Sequence, residues 1–562
     1  MKYRIAIKNE INATFLAAAL VLSIFTIASS LILNIPGVAT SSAFALQFPK
    51  SQQLDLMAVN SGSPPSTANF NLSAGSAGYT IQPVLWNLTL PSTIAFDDKG
   101  NNVYLAESGY AYGGLQPQPR IIKLDQTNGN MSILVDRMLN GPITDLEFHS
   151  GKLYVSHRGI ISTVDPNTGL IKDIITGLPG IGDHHTNQMA FGPRDGRLYF
   201  GQGTATNSGV VGEENYAFGW LKLAPQFHDV PGKDITLVGQ NFNSSNPLTK
   251  DPSQNKSTTG AFVPFGNSTT KGQIIKGNVK CSGCILSAKP DGTDLKVVAW
   301  GMRNPYGLAF DNKSGKLIVS MNGADERGSR PIANDMDKVY TIDVSNPTNL
   351  GKWYGWPDFF GNAQPVTDPL FKSPRGKEPL QFLMQNHPLP VEKPFGLVET
   401  NAGITQVAIP NSTTTNFGLD GKAFIGQFGT MVPITHTPSL QPPAQKMIIG
   451  QKVVTIDLRT GIISEFVSLK SPDPSFRPMG VKFNDKENAL YIISTGKVEV
   501  RNTMPNGTPL PMPTPWGYPH TGVVWKVTKT GTATSTTAAT PTGAPTANAT
   551  TAMSPTGIPG VP

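Results

Sequence analysis

The chain has 562 residues, of which 38% are hydrophobic and 15% are charged, and its formal net charge is +7. This length is enough to bury a large core, and the hydrophobic content is that of a folded protein. The Lys and Arg residues are scattered, without a basic block or a basic helix face, and this distribution argues against nucleic-acid binding.

The N-terminal segment has the pattern of an export signal. Residues 15–33 are almost continuously apolar, and small residues suited to cleavage follow at Ala43 and Ala45. An apolar run of this length can also just span a bilayer, so a retained membrane anchor is the alternative. Either interpretation of residues 1–45 predicts a secreted or cell-surface protein, and residues 46–90 are interpreted as an N-terminal extension. The basic residues of the signal are Lys2, Arg4 and Lys8.

A repeated pattern fills the next segment, residues 91–529. Each copy has an apolar or aromatic pair, a polar turn with Gly or Asp, and a short β-rich run, which predicts a β-hairpin. The clear copies lie at 94–105, 146–155, 189–200, 308–319 and 481–492, and a weaker copy lies at 417–425. Further strand-like elements lie at 120–125, 161–165, 338–343, 452–457 and 523–527. Two hairpins per unit make a four-stranded blade, so we predict an all-β fold, a six-bladed propeller of antiparallel blades.

Two long polar stretches interrupt the repeats. The first covers residues 203–280 and is rich in Asn, Gly, Ser and Pro. The second covers roughly residues 361–399 and is rich in Pro. Loops of this length in a compact domain usually shape a site or cover it. We therefore expect both to border a substrate cleft.

The chain has only two cysteines, Cys281 and Cys284. Two thiolates cannot complete a four-ligand zinc site, and no His lies close by in the sequence. Outside the cytoplasm a disulfide between them is the favoured interpretation, with a redox-active pair as the alternative. After the repeats, residues 530–562 contain no charged or aromatic residue, and this composition predicts a disordered tail.

Three segments carry a resemblance to a known family. They are GDHHTNQMAFGP at 182–193, GMRNPYGLAF at 301–310 and WYGWP at 353–357. Together they resemble the soluble glucose/sorbosone dehydrogenase family, six-bladed propellers that oxidise sugars with pyrroloquinoline quinone. The resemblance implies oxidation of the anomeric hydroxyl of an aldose to a lactone, by hydride transfer to the quinone. Electrons would then pass to a diffusible or membrane acceptor.

The first two segments hold the candidate catalytic residues. An imidazole is a natural general base near neutral pH, and a neighbouring carboxylate can orient it. The resemblance places the base on His184, with Asp183 in support. A guanidinium suits quinone carbonyls and developing oxyanion charge, and the resemblance gives that role to Arg303, with Asn304 as a neighbouring donor. The alternatives are a surface or capping histidine and an arginine that only fixes a turn.

The remaining ligands of a cofactor come from other loops. Arg477 precedes the last repeat, where the family has an arginine in contact with the cofactor. The resemblance also places Ca²⁺ on the backbone carbonyls of Gly323 and Ala324, since hard cations prefer oxygen ligands. The family has a Gly-Pro pair here, and this chain departs from it at Ala324. A cofactor-binding lysine of the glucose-active members has no convincing counterpart near residues 424–430.

Two other functions remain open on the sequence. Because the lysine and the Gly-Pro pair are missing, one alternative is a non-catalytic propeller that binds a protein or a glycan. The other is a Ca²⁺-dependent propeller of the lactonase type, in which a central metal activates water.

Overall fold

In the computed structural model, the residues described are 56, 58–72, 78–109, 117–372, 380–411, 416–430, 449–471, 473–503 and 507–530. They belong to one compact unit, Leu54–Pro562. The predicted signal or anchor at 1–45 and the predicted tail beyond residue 530 lie outside them. Within the described residues, no helix combines the length and the apolar character needed to cross a membrane.

Short strands are the main regular structure of the described chain, at 44% of it against 4% helix. The strands up to the third blade are β1 (Phe70–Leu72), β2 (Tyr79–Leu88), β3 (Pro91–Phe96), β4 (Asn102–Glu107), β5 (Arg120–Asp125), β6 (Met131–Asp136), β7 (Ile143–His149), β8 (Lys152–His157), β9 (Ile160–Val164), β10 (Ile171–Ile175), β11 (Thr186–Phe191), β12 (Leu198–Gln202), β13 (Ile235–Thr236), β14 (Asn241–Ser245), β15 (Lys256–Gly260), β16 (Ile274–Ile275), β17 (Cys284–Ala288) and β18 (Lys296–Trp300). The remaining strands are β19 (Asn304–Phe310), β20 (Leu317–Asn322), β21 (Met336–Ile342), β22 (Lys352–Trp353), β23 (Phe359–Phe360), β24 (Gln364–Pro365), β25 (Gly396–Thr400), β26 (Ile404–Ala408), β27 (Lys422–Gln427), β28 (Lys452–Asp457), β29 (Ile463–Leu469), β30 (Pro478–Asn484), β31 (Ala489–Ser494), β32 (Val498–Thr503), β33 (Pro509–Gly517) and β34 (Gly522–Lys529). The helices described are α1 (Glu213–Ala217) and α2 (Trp220–Leu223), with short 3₁₀ turns at Pro252–Gln254, Pro347–Asn349 and Pro369–Phe371.

The larger sheets are six blades arranged in a ring. From the inner strand outwards, the blades are β3-β4-β5-β6, β7-β8-β9-β10, β11-β12-β17-β18-β22, β19-β20-β21-β25, β26-β27-β28-β29-β1 and β30-β31-β34-β2. Each inner strand contacts the inner strand of the next blade, and β30 contacts β3. The ring is therefore closed, and the prediction of a six-bladed propeller of mostly four-stranded antiparallel blades is confirmed.

The two ends of the folded chain meet in the sixth blade. Strand β2 pairs with β34 along its whole length, with Tyr79 opposite Lys529 and Leu88 opposite Gly522. Strand β1 adds an edge to the fifth blade by pairing with β29. Both strands lie in the segment interpreted as an N-terminal extension, so residues of that segment supply edge strands to two blades.

The weak repeat at 417–425 also needs a correction. Only its second half is a strand, within β27. The partner of β27 is β26, in which Ala408 lies opposite Phe424. The two strands of this hairpin are joined by a longer connection than in the other blades, and this is why the motif looked incomplete.

Apolar layers between neighbouring blades hold the ring together. For example, Tyr104 and Ile121 of the first blade pack against Leu146 and Leu153 of the second. Equivalent buried clusters lie between each of the other neighbouring pairs. Each blade is thus apolar on both faces, and truncating one such side chain to Ala typically costs about 2–5 kcal/mol.

Polar side chains fill the centre of the ring. The Asp145 carboxylate accepts hydrogen bonds from Thr93 Oγ1 at 3.1 Å and from Gln406 Nε2 at 2.8 Å. Lys482 Nζ lies 3.1 Å from Asp145 and 2.8 Å from Glu147. Since these residues come from four inner strands, the network ties separate blades together.

We call the end of the ring at which the inner strands begin the upper face. In an antiparallel blade the second strand ends at the same face, so the connections between second and third strands lie there. Each of the six inner strands also has a register shift near this face, a feature that redirects side chains next to sites. The shifts lie between Pro91 and Thr93, Ile143 and Asp145, Thr186 and Met189, Pro305 and Gly307, Ile404 and Val407, and Pro478 and Gly480.

The long loops meet at the upper face. The connection 203–283 carries α1, α2 and β13–β16, and the connection 323–335 follows β20. The second predicted excursion starts earlier than expected, after β21, and spans 343–395. It leaves the third strand of its blade at the opposite face and returns towards the upper face through β22, which runs parallel to β18. It is tied to the first connection by a hydrogen bond from Val238 N to Leu383 O at 2.9 Å. It is tied to the loop 323–335 by the Arg330–Asp358 ion pair at 3.2 Å.

Candidate functional site

The sequence-predicted residues lie at the upper face, in four segments. His184 and Asp183 immediately precede β11, Arg303 precedes β19, and Arg477 precedes β30. Gly323 follows β20, whose last residue is paired with the first residue of β19. The fold therefore brings these segments to one end of the ring, although they are far apart in the sequence.

His184 is held through one ring nitrogen. Its Nδ1 lies 2.9 Å from the carbonyl oxygen of Thr204 and 3.1 Å from Thr204 Oγ1. A carbonyl only accepts, and Thr204 Oγ1 already donates to Thr206 O. The neutral imidazole therefore carries its proton on Nδ1, and the lone pair is on Nε2. Among the described residues, none donates a hydrogen bond to Nε2.

The surroundings keep this imidazole neutral. His184 is 9% exposed, and its pKa is held well below 6.5, mainly by burial and next by the charges of Arg303 and Arg327. Gly203 permits the close packing here, because a Cβ on it would lie 2.3 Å from His184 Cβ and 2.6 Å from Asn304 Oδ1. His184 thus has the proton location and the protonation state of a general base.

Asp183 does not orient this histidine. Its Oδ1 accepts a hydrogen bond from Asn215 Nδ2 at 2.7 Å, and its Oδ2 lies 2.7 Å from Arg327 Nη1. The contact expected from the sequence is therefore replaced by the contact from His184 to Thr204. The reason is that the Asp183 carboxylate is already held by Asn215 and Arg327.

Arg303 is buried and largely committed to the protein. Its Nε and Nη2 donate to the backbone and side chain of Asn207 at 3.1 and 2.9 Å. Its Nη1 donates to Gly323 O at 2.5 Å, and its Nη2 also contacts Asp325 Oδ2 at 2.8 Å. A guanidinium has five N–H groups, so these contacts leave one N–H, on Nη1.

Asn304 belongs to a chain of amides across the inner strands. Its Oδ1 accepts from Asn187 Nδ2 at 2.8 Å, and its Nδ2 donates to Asn322 Oδ1 at 2.7 Å. Asn322 in turn donates to Ile404 O. Asn304 therefore links the third blade to the fourth, and Asn322 extends the chain of hydrogen bonds to the fifth.

The loop at Gly323 and Ala324 does not fit Ca²⁺ as the sequence suggested. Gly323 O faces the Arg303 guanidinium, which would repel a cation. The two backbone N–H groups donate to Asp337 Oδ1 at 2.7 Å and Asp335 Oδ2 at 2.6 Å. The described residues contain no group of three or more His, Cys, Asp or Glu that could hold a metal ion. We therefore assign no role to calcium in the chemistry below.

Arg477 is a buried cation next to Thr430, the last residue that the structure describes before residue 449. Its Nη1 donates to the carbonyl oxygens of Phe428 at 3.1 Å and Thr430 at 3.0 Å, and its guanidinium lies 5.0 Å from the Phe428 ring. Burial lowers its pKa to about 10. Within the described residues no carboxylate pairs with it, and its buried Nε has no hydrogen-bond partner. This orphaned donor suits an anionic group.

Sequence reasoning missed several residues of this region. Thr204, Asn207 and Glu214 lie in the polar connection that was expected to border the cleft, but none of them was named as a site residue, and Arg327 lies in the loop assigned to calcium. The Glu214 carboxylate is 2% exposed, and neither oxygen has a hydrogen bond to a described residue. Burial raises its pKa to about 7, with a further contribution from Asp183 that Arg327 opposes.

The two cysteines are joined in a disulfide bond. Both are fully buried, immediately before and at the start of β17. This agrees with the favoured interpretation of the sequence, and it gives the pair a structural place at the base of the long connection.

No protein-family model matches the chain, and the search of curated proteins also finds no match. Solved structures resemble it at low identity. A Trichoderma reesei structure of Carbohydrate-Active Enzymes Family AA12 is 13% identical, with a TM-score of 0.49, over 83% of this chain and 100% of the other. The holo pyranose dehydrogenase PQQ domain from Coprinopsis cinerea is 16% identical, with a TM-score of 0.48, over 83% and 99%. The PQQ-bound aldose sugar dehydrogenase from Streptomyces coelicolor is 14% identical, with a TM-score of 0.43, over 83% and 99%. These likenesses are too distant to assign roles, so the roles below are argued from the contacts of this chain.

Proposed function

We propose that this chain is an exported quinoprotein dehydrogenase that oxidises the anomeric hydroxyl of an aldose to a lactone. The observation that carries the proposal is the state of His184. Its Nδ1 is tied to Thr204 O, its Nε2 has no hydrogen-bond partner among the described residues, and its pKa lies well below 6.5. A buried and neutral imidazole with a defined tautomer is what abstraction of a hydroxyl proton requires.

The residues at the upper face fit the quinone at separate points. Pyrroloquinoline quinone is an anion with two adjacent carbonyl oxygens. Arg477 offers a cofactor carboxylate a buried positive charge that pairs with no described carboxylate. Arg303 and Arg327 both lie near His184, and one of the two can donate to a carbonyl oxygen. When bound, the cofactor would supply an electrophilic ortho-quinone that accepts two electrons.

The chain's own part in the reaction is proton transfer and positioning. Nε2 of His184 takes the proton of the anomeric hydroxyl, while the C–H bond at the same carbon breaks and the carbonyl of the lactone forms. A bound quinone would supply the acceptor for the hydride that this C–H bond releases. The imidazolium that results lies near Arg303 and Arg327, whose charges favour prompt loss of the proton to solvent. A diffusible or membrane acceptor then takes the electrons.

The proposal is tested with residues 46–530, without the predicted signal and tail. Pyrroloquinoline quinone is titrated into the protein, and dye reduction is then assayed over a panel of aldoses. We expect saturable binding and aldose-dependent turnover that is lost in His184→Ala. The matched control is His228→Gln, since His228 is partly buried in the same connection and its Nδ1 also meets a carbonyl, Asp229 O, at 2.8 Å. No binding at micromolar quinone would overturn the proposal and favour a propeller that binds a protein or glycan.

A further inference from the structure

Two arginines at the upper face share one carboxylate but differ in their exposure. Asp325 Oδ2 lies 2.8 Å from Arg303 Nη2 and 3.0 Å from Arg327 Nε. The Arg303 side chain is 4% exposed, whereas the Arg327 side chain is 28% exposed. The sequence motif points to Arg303 as the ligand-binding arginine, but Arg327 is the one that solvent reaches.

The two guanidinium groups also differ in how many of their N–H groups already donate to described residues. Arg303 uses four of its N–H groups on Asn207, Gly323 and Asp325. Arg327 makes one side-chain hydrogen bond of good geometry, from Nε to Asp325. Its Nη1 is 2.7 Å from Asp183 Oδ2 without a hydrogen bond of acceptable angle, and its Nη2 donates to no described residue.

The neighbours of Arg327 hold its guanidinium in place, but none of the described ones accepts a hydrogen bond from Nη2. The ring of Phe218, in the turn between α1 and α2, lies 5.3 Å from the guanidinium carbon. Asp183 and Asp325 lie on either side and balance its charge. An arginine whose charge is already balanced suits a neutral carbonyl oxygen better than a second carboxylate, and it can strengthen its hydrogen bonds as that oxygen gains negative charge.

We propose that Arg327, rather than Arg303, donates the hydrogen bonds to the carbonyl oxygens of the bound quinone. The identity of the ligand rests on the proposed function. The choice of arginine rests on the contacts of this chain alone. Arg303 then has a structural role, because its hydrogen bonds tie the loop 323–335 to the long connection through Gly323, Asp325 and Asn207.

The test compares the quinone affinity of variants at the two arginines. Dissociation constants for pyrroloquinoline quinone are measured by fluorescence titration, and melting temperatures are measured beside them. Losing a charge-assisted hydrogen bond should weaken binding by at least about tenfold in Arg327→Gln, with partial recovery in Arg327→Lys. Arg303→Lys should lower the melting temperature and leave the dissociation constant within about twofold of the wild type. Arg459→Met, in the exposed turn after β28, is the control for loss of a positive charge.

The possible outcomes separate this inference from the proposed function. If the wild-type chain binds no quinone, both are overturned. If it binds quinone and Arg327→Gln binds equally well, the function stands and the role of Arg327 is overturned. A folded Arg303→Lys that loses affinity while Arg327→Gln keeps it would return the role to Arg303. If Arg303→Lys does not fold, the two variants at Arg327 still decide the matter.

Discussion

Nδ1 of His184 donates to the backbone carbonyl oxygen of Thr204 at 2.9 Å. This contact fixes the tautomer, because a carbonyl cannot donate in return. Since the partner is a backbone atom, no substitution at residue 204 removes it. The geometry of the candidate base is therefore set by the fold of the connection after β12.

The depressed pKa of His184 predicts the acid side of the pH profile. Turnover needs the neutral imidazole, and burial together with Arg303 and Arg327 keeps the pKa well below 6.5. We expect activity at saturating aldose to stay level as the pH falls from 8 to 6. Measuring steady-state dye reduction in steps of half a pH unit checks this, and a half-maximal rate near pH 6.5 would contradict it.

Calcium should have no effect on the quinone site. Gly323 O is held by Arg303, and the adjacent backbone N–H groups are held by Asp335 and Asp337. We expect the melting temperature and the quinone dissociation constant to be the same in millimolar calcium and in excess EDTA. A saturable rise in melting temperature with calcium would show that the loop 323–335 opens to bind the ion.

Glu214→Gln should alter how stability depends on pH. The folded-state pKa of Glu214 is about 7, above its ordinary value of 4.5. Between these values the folded chain retains a proton that the unfolded chain loses, so the wild type loses stability as the pH rises. Gln binds no proton in this range. The free energy of unfolding of the variant should therefore rise by up to about 3 kcal/mol relative to that of the wild type between pH 4.5 and pH 8.

Urea unfolding of both proteins at pH 5 and pH 8 measures this difference. Glu213→Gln, a partly exposed carboxylate on the same helix, is the matched control. A difference between Glu214→Gln and the wild type that stays constant with pH would show that Glu214 is ionised at no cost in the folded state.

Lys482→Met should destabilise the ring without touching the upper face. The Lys482 ammonium pairs with the fully buried Asp145 and with Glu147. Removing one partner leaves an uncompensated buried carboxylate, which costs about 3–5 kcal/mol. Urea unfolding at pH 7 checks this. The double variant Lys482→Met with Asp145→Asn should recover part of the loss, and no recovery would contradict the pairing.

The sequence predicts the blades well because their signal is local. Hairpins such as β7–β8 have alternating apolar residues around a tight turn, and the motif lies within ten or twelve residues. Strand β2 could not be assigned in this way, since its partner β34 lies at the other end of the chain. The hairpin of the fifth blade was misplaced because residues 409–421 separate its two strands.

The candidate site was predicted only in part for the same reason. His184 and Arg303 stand in recognisable segments, but the partners that decide their roles come from the polar connection 203–283. Neither Thr204 nor Asn207 has a local pattern, and each acts through a contact that only the closed ring brings together. The orienting role of Asp183 was inferred from adjacency in sequence, but its carboxylate contacts Asn215 and Arg327, which come from two distant connections.

The central claim is that His184 abstracts the sugar proton, and single-turnover reduction of bound quinone tests it most directly. The protein is loaded with one equivalent of pyrroloquinoline quinone without oxygen, an aldose is added, and the quinone absorbance is followed. In His184→Asn, the amide can still donate to Thr204 O but nothing replaces Nε2. We predict unchanged quinone binding and reduction at least about 100-fold slower than in the wild type. Reduction of the quinone at the wild-type rate in His184→Asn would contradict the account.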